Sequence, residues 1–198
     1  MIKAEALRLG FDACGIACAS PLEPEARHLS RWLEKGFHGS MHFMEMHLDK
    51  RTNPSRLVKD TKSVIVTLLH YYSDKKQLDP AAPVISTYAY GKDYHTFIRK
   101  KLALLLRFIN REIGVTHGRG FCDSAPVMDK AWAVRAGLGW QGKNSCFISS
   151  GRGSYCVIGT LLVDRELHYD TPGPDHCGTC TRCIDACPKD VRPTDSIV

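Results

Sequence analysis

The sequence predicts an α+β fold in which a mixed sheet with flanking helices occupies residues 1–169 and a short cysteine-rich segment occupies residues 170–198. Three observations support this class. Residues 63–69 form an apolar, β-branched run between charged neighbours, which is typical of a buried central strand. Residues 92–113 have helical spacing, with an apolar face formed by Ile98, Leu102, Leu105 and Ile109. A linker rich in proline and glycine precedes the cysteines and separates the two parts.

The first elements of the chain are predicted from apolar spacing and from the positions of glycine. Residues 2–9 have helical spacing, and Gly10 separates them from a short strand at residues 11–18. A second helix is predicted at residues 26–35, where an amphipathic stretch is followed by glycine. The chain therefore begins with helix, strand and helix before the central strand.

The later elements are predicted in the same way. Alternating side chains predict a strand at residues 84–90, and a helix is predicted at residues 127–136. Strands at residues 146–149 and 154–163 are predicted to pair as a hairpin across residues 150–153.

Residues 137–144 form a glycine-rich loop that satisfies the pattern G-x-G-x-x-G and comes close to a phosphate-binding loop. Both nucleotide motifs require a strand before the loop and a helix after it. Here a predicted helix precedes the loop and a predicted strand follows it. The sequence therefore argues against nucleotide binding at this loop.

Composition indicates an ordinary globular protein. The 198 residues are 43% hydrophobic, and the longest apolar-rich run, residues 64–72, is too short to span a bilayer. The first residues do not resemble a signal peptide, so a cytoplasmic location without a membrane is expected. The net charge of +6 is compatible with a nucleic-acid partner but is too weak to argue for one by itself, and a solvated surface is the favoured explanation.

The cysteines Cys177, Cys180, Cys183 and Cys187 have the spacing C-x2-C-x2-C-x3-C, followed by Pro188, which is the bacterial ferredoxin run for iron–sulfur clusters. The alternatives are a structural zinc site, which usually needs two separated pairs of cysteines, or a disulfide framework. In a ferredoxin run the fourth cysteine serves a second cluster. Because no second run precedes the end of the chain, we expect the second cluster to be incomplete and the chain to be truncated after the first cluster motif.

Five motifs occur in an order that resembles the epoxyqueuosine reductases. They are Arg51-Thr-Asn-Pro, Gly91-Lys-Asp-Tyr-His95, Cys122-Asp-Ser-Ala-Pro126, Arg135-Ala-Gly-Leu-Gly-Trp-Gln-Gly-Lys-Asn144 and the cysteine run. The resemblance implies a cobalamin-binding body, a ferredoxin-like segment and two [4Fe–4S] clusters that feed electrons to the cobalt. It also implies removal of the epoxide oxygen of epoxyqueuosine in the tRNA anticodon loop, with a flavodoxin or ferredoxin system as electron donor.

The resemblance also implies roles for individual residues. Asp123 matches the proton donor to the epoxide oxygen, and His95 lies in a matching motif near the expected pocket. Cys177, Cys180 and Cys183 match ligands of the first cluster, and Cys187 matches a ligand of the second. The residues expected to line the cobalamin are Arg51, Ser86, Asp123, Lys143, Phe147 and Ile158.

Alternatives to these assignments remain open at the level of sequence. An aspartate enclosed by apolar groups can have its pKa raised and act as an acid, and Asp123 lies between Phe121-Cys122 and Pro126. The same residue could instead cap the following helix. The whole chain could be an iron–sulfur electron carrier, or an inactive cofactor-binding fragment of such a reductase.

Overall fold

The structure, a computed structural model, describes residues 1–75 and 77–188. Its helices are α1 (Ile2–Arg8), α2 (Glu23–Glu34), α3 (Leu48–Thr52), α4 (Pro54–Leu57), α5 (Tyr94–Glu112), α6 (Asp129–Arg135) and α7 (Arg182–Asp185). Its strands are β1 (Ala13–Cys18), β2 (Ser63–His70), β3 (Gly118–Phe121), β4 (Gly139–Gln141), β5 (Phe147–Ser149) and β6 (Cys156–Val163). The predicted α+β class is confirmed. No helix among these residues combines the length and the apolar character needed to cross a bilayer.

The main sheet has the strand order β1-β2-β6-β3, so β2 is the central strand that the sequence predicts. All of its pairings in the described chain are antiparallel, where a mixed sheet is predicted. Strand direction was missed because apolar patterning reports burial and not the direction in which a strand runs.

Both faces of the main sheet are buried, which explains the continuous apolar character of β2. Val64, Val66 and Leu68 contribute to a core that also contains Trp132 of α6. Ile65 contributes to the opposite core, together with the apolar face of α5 and residues of α1. The sheet therefore lies between α6 on one side and α1 and α5 on the other.

Two predicted strand features are wrong. Residues 84–90 contain a short 3-10 helix, Thr87–Ala89, instead of a strand, and most of their side chains are exposed, so no partner strand completes a ladder there. The hairpin between the two last strands is also absent, because β5 pairs with β4 and β6 pairs with β2 and β3. Strand β4 lies within the glycine-rich loop predicted at residues 137–144, so the prediction left β5 without its true partner.

The linker after β6 is fixed to the body at Asp170. The Asp170 backbone N–H donates to Ile16 O at 2.7 Å, its Oδ2 accepts from the Ile16 N–H at 2.8 Å, and its Oδ1 accepts from Lys3 Nζ at 2.5 Å. The division between residues 1–169 and 170–198 stays a prediction.

Gly15 allows β1 to pack against the C-terminal end of α6. A Cβ atom at this position would lie 2.2 Å from Ala136 O, which is closer than any tolerated contact. We therefore expect Gly15→Ala to lower the free energy of unfolding by about 1–3 kcal/mol, the usual cost of overpacking. Urea denaturation measures this effect. Gly173→Ala is the control, because open space surrounds Gly173, and an equal loss in both variants would contradict the packing argument.

A candidate active site around Asp123

Asp123 lies in the turn that follows β3, and its backbone has an uncommon conformation. Its φ of 55° is in the left-handed region, which is unfavourable for most residues other than glycine. The side chain is 51% exposed, so the enclosure by apolar groups that the sequence suggested is wrong. The capping role is wrong as well, because α6 begins at Asp129 with Met128 at its N-cap position. The position of Asp123 therefore calls for another explanation.

The start of α5 supplies the groups that contact Asp123. Tyr94 donates a short hydrogen bond from its hydroxyl to Asp123 Oδ2. His95 Nε2 lies 3.7 Å from the same oxygen, and His95 Nδ1 lies 2.8 Å from Asp93 Oδ1. Asp93 is thus connected to Asp123 through His95, and Tyr94 contacts Asp123 alongside.

Helix capping explains why Tyr94 and His95 take these positions. Asp93 is the N-cap of α5, and its carboxylate accepts hydrogen bonds from the backbone N–H groups of His95 and Thr96 at 3.0 and 3.3 Å. Such a cap fixes the first helical turn, and both side chains project from that turn. The ring of Tyr94 stacks on that of His95, with centroids 4.1 Å apart.

The protonation states of Asp93 and Tyr94 follow from their surroundings. Hydrogen bonds from Thr96 and His95 hold the pKa of the Asp93 carboxyl well below its usual range. Burial, together with the hydrogen bond to Asp123, raises the pKa of Tyr94. Asp93 is therefore a carboxylate at neutral pH, and Tyr94 is a phenol that can donate to Asp123.

A row of tyrosine rings leads away from Asp123 across the surface. Ring centroids lie 6.2 Å apart between Tyr94 and Tyr88, 6.4 Å between Tyr88 and Tyr71, 5.7 Å between Tyr71 and Tyr155, and 5.3 Å between Tyr155 and Tyr72. We call these five residues the tyrosine row. Several of them are about half exposed, and contiguous exposed apolar surface is a common feature of binding sites.

Asp129 is a second acid close to Asp123, and the sequence analysis missed it. Its Oδ1 accepts a hydrogen bond from Thr160 Oγ1 at 2.6 Å. Burial raises the pKa of Asp129 to about 7, and the charge of Asp123 adds to this increase. In sequence, Asp129 is merely an acidic residue near a predicted helix start, so only tertiary burial distinguishes it.

The residues predicted to line cobalamin do not all reach this surface. Ser86 is exposed and lies two positions before Tyr88 of the tyrosine row. The Arg51 guanidinium instead donates to Phe43 O at 2.9 Å and to Met46 O at 3.3 Å. Phe147 and Ile158 have buried side chains in the core beside α6. Their assignment to the pocket stays a prediction.

Lys143 contacts the cysteine segment. Its Nζ donates to Gly178 O at 2.8 Å and to Cys180 O at 3.0 Å. Sequence motifs placed Lys143 near the pocket but gave no sign of this contact, because its acceptors are backbone atoms more than thirty residues further along the chain.

The four cysteines of the run lie close together in the chain and are free thiols. The Cys180 N–H donates to Cys177 O at 2.8 Å, which closes a turn, and α7 carries Cys183. No three of their sulfur atoms lie within 4.8 Å of one another in the described chain. A tetrahedral zinc ion with Zn–S bonds of about 2.3 Å would require closer sulfurs.

His38, His42 and Glu45 do offer three ligand atoms within 4.8 Å of one another. His38 Nε2 lies 2.6 Å from Glu45 Oε1, so an ordinary hydrogen bond accounts for their approach. The rings of His38 and His42 are in edge contact, with centroids 6.1 Å apart.

The fold and the site together define an α+β protein that combines a ferredoxin-type cysteine run with an aspartate, tyrosine and histidine group beside an aromatic surface. Residues 51–124 match a family model described as "Epoxyqueuosine reductase QueG, DUF1730". The epoxyqueuosine reductase of Cellulophaga algicola is 54% identical over 188 residues, which are 95% of this chain and 61% of that protein. The chain is therefore a relative of the epoxyqueuosine reductases, and the resemblance that its motifs predict is confirmed.

Solved structures extend this relationship to the fold. An epoxyqueuosine reductase with an epoxyqueuosine-modified tRNA-Tyr stem loop is 29% identical with a TM-score of 0.84, covering 96% of this chain and 51% of that chain. The Bacillus subtilis enzyme, described with the loop of a catalytic aspartate swung out of the active site, is 28% identical with a TM-score of 0.85 and the same coverage. The chain spans 61% to 64% of the length of three curated relatives.

A more distant likeness concerns the fold alone. A reductive dehalogenase, described in connection with B12-dependent dehalogenation, is 16% identical with a TM-score of 0.54, covering 88% of this chain and 20% of that chain.

Proposed function

We propose that this chain provides the catalytic body and the first cluster motif of an epoxyqueuosine reductase, which removes the epoxide oxygen of epoxyqueuosine in tRNA to give queuosine. The observation that carries the proposal is the position of Asp123, which lies in a turn with left-handed backbone, accepts a hydrogen bond from Tyr94 and is faced by His95. The relatives are named epoxyqueuosine reductases, and one related structure contains the modified tRNA stem loop.

The reaction defines what the protein residues have to do. Removing an epoxide oxygen as water consumes two electrons and two protons and leaves a carbon–carbon double bond. A positioned acid that protonates the departing oxygen accelerates such a step. Because Asp123 Oδ2 accepts the Tyr94 hydroxyl, Oδ1 is the oxygen that carries the proton toward the substrate.

Asp93 and His95 can restore the proton that Asp123 gives up. A carboxylate at Asp93 fixes His95 through Nδ1, which leaves Nε2 directed at Asp123 from 3.7 Å. Rotation of the exposed Asp123 carboxyl group would bring Oδ1, the oxygen that gave up its proton, within hydrogen-bond distance of Nε2. His95 then passes a proton to the Asp123 carboxylate, and Asp93 stabilises the imidazolium that takes part.

Cobalamin fits the exposed surface beside Asp123. The rings of the tyrosine row offer an apolar area suited to a flat, bulky ring system, and Val84 and Ile85, which are exposed and precede Tyr88 by a few positions, can add to it. Ser86 and Asp123 adjoin this area. Arg51, Phe147 and Ile158 are engaged elsewhere and remain predicted contacts, whereas Lys143 is engaged by the cysteine segment. When bound, cobalamin supplies the reduced cobalt that passes electrons to the substrate.

The cysteine run fits the iron–sulfur assignment. Cys177, Cys180 and Cys183 would hold a [4Fe–4S] cluster, and Cys187 would serve a second one. The clusters supply electrons, which an external flavodoxin or ferredoxin system provides. With tRNA as substrate, the protein would act in the cytoplasm.

Cobalamin binding can be tested by anaerobic reconstitution with iron, sulfide and hydroxocobalamin, followed by gel filtration and ultraviolet–visible spectroscopy. We expect the corrinoid bands and the cluster absorption to elute with the protein. Tyr88→Ala should weaken cobalamin binding about tenfold, because it removes the ring that connects Tyr94 to Tyr71 in the tyrosine row.

Phe108→Ala is the matched control, since Phe108 is an aromatic residue near the other end of α5, beside Arg111. Cluster bands without any corrinoid binding would contradict the reductase proposal and identify an electron carrier. Equal weakening in both aromatic variants would contradict the assigned surface.

A further inference from the structure

We propose that Lys143 fastens the cysteine segment to the body of the protein and positions the iron–sulfur loop, instead of lining the cofactor pocket. The fastening is a property of the described chain. Its consequence for electron transfer rests on the proposed function.

A single ammonium group holds two carbonyl groups of the cysteine loop. Lys143 follows Gly142 in the turn between β4 and β5, and its Nζ reaches Gly178 O and Cys180 O. These carbonyls belong to the loop that connects Cys177 with Cys183. Hydrogen bonds from a charged donor are stronger than neutral ones, and a lysine offers three donor hydrogens.

Residues that precede Lys143, within β4 and just before it, also contact the cysteine segment. The ring of Trp140 meets that of His176 in edge contact, with centroids 4.8 Å apart. A Cβ atom at Gly137 would lie 2.6 Å from Thr171 O, so the linker passes directly over this glycine. Residues 137–143 thus contact the linker and the cysteine loop at three successive places, and Lys143 supplies the contact nearest the thiols.

The charge of Lys143 should also affect the redox behaviour of the loop. Thiolate-bound clusters become more negative on reduction, and their potentials depend on nearby charge and hydrogen bonds. A fixed positive charge beside the loop favours the reduced state. Removing it should lower the reduction potential.

Hydrogen exchange of the cluster-free chain tests the fastening. In Lys143→Met we expect the amides of residues 177–180 to exchange about tenfold faster, which corresponds to about 1.4 kcal/mol for the two lost hydrogen bonds. Lys101→Met is the matched control, because Lys101 donates to a backbone carbonyl, Gly10 O at 3.3 Å, in a different part of the body. Unchanged exchange in Lys143→Met would overturn the proposal.

A redox titration of the reconstituted protein tests the electrostatic consequence. We expect a lower midpoint potential in Lys143→Met, and a potential near that of the wild type in Lys101→Met and in Lys143→Arg, which keeps the charge. A potential that falls equally in Lys143→Arg and Lys143→Met would overturn the role of the charge. If the wild type assembles no cluster, the proposed function fails, whereas the exchange experiment still decides whether Lys143 fastens the loop.

Discussion

Asp123→Asn should reduce turnover of epoxyqueuosine by about 10²–10⁴-fold, which is the usual contribution of a positioned general acid. The substitution removes the proton that Asp123 donates but keeps an oxygen that can accept the Tyr94 hydroxyl. Asparagine also tolerates the left-handed backbone at this position, so the melting temperature should stay nearly unchanged. Single-turnover assays with a modified stem-loop RNA, together with thermal unfolding, provide the measurements.

Two further variants sharpen this test. Asp79→Asn removes an exposed carboxylate and should leave turnover unchanged. Tyr94→Phe should cause a smaller loss, about tenfold, because it removes one hydrogen bond to the acid but not the acid itself. Near-wild-type turnover in Asp123→Asn would eliminate Asp123 as the proton donor and would make Asp129 the next candidate.

Asp129→Asn should change how stability depends on pH, with an effect of a few kcal/mol. The folded protein raises the pKa of Asp129 from 3.8 to about 7, so the folded state binds this proton more tightly than the unfolded state does. The resulting stabilisation is present below pH 4 and is lost as the pH rises toward 7, at about 1.4 kcal/mol for each pH unit. The asparagine variant keeps the acceptor for Thr160 but has no proton to lose.

Urea denaturation between pH 4 and pH 8 measures this effect. We expect Asp129→Asn to resemble the wild type near pH 4 and to be the more stable protein at pH 8. Asp79→Asn, at an exposed site, should follow the wild type throughout. If the free energy of unfolding depended on pH in the same way in the wild type and in Asp129→Asn, the result would show that folding does not raise the pKa of Asp129.

Local patterns predicted the elements whose surroundings are uniform along their length. The central strand β2 and the long helix α5 were both predicted. Burial of both faces of β2 leaves a continuous apolar run, and burial of one stripe of α5 leaves apolar residues at helical spacing. Strand β4 was missed because it is short and contains Gly139. A Cβ atom there would lie 2.0 Å from Ile148 O, so the pairing with β5 itself requires the glycine.

Within the candidate site, the sequence predicted only residues that belong to the ordered motifs. Asp123 and His95 were found through ordered motifs, but Tyr94 and Asp129 owe their importance to contacts between α5, the turn after β3 and β6. Such contacts join residues about thirty positions apart, and no local spacing encodes them. The exposure of Asp123 was likewise unpredictable, since its sequence neighbours are apolar or small while its spatial neighbours are polar.

The anchoring of Asp170 on β1 makes the linker a short tether. Cys177 lies seven positions after Asp170, so the thiol loop can move at most about 23–25 Å from its anchor even when fully extended. Because the linker confines the thiol loop within this radius, the effective concentration of the loop near its docking position on the body is on the order of millimolar, as is typical of short linkers. Breaking the Lys143 contact would therefore shift the balance between docked and undocked loops without releasing the thiols into bulk solvent. Electron delivery within one chain should then remain independent of protein concentration.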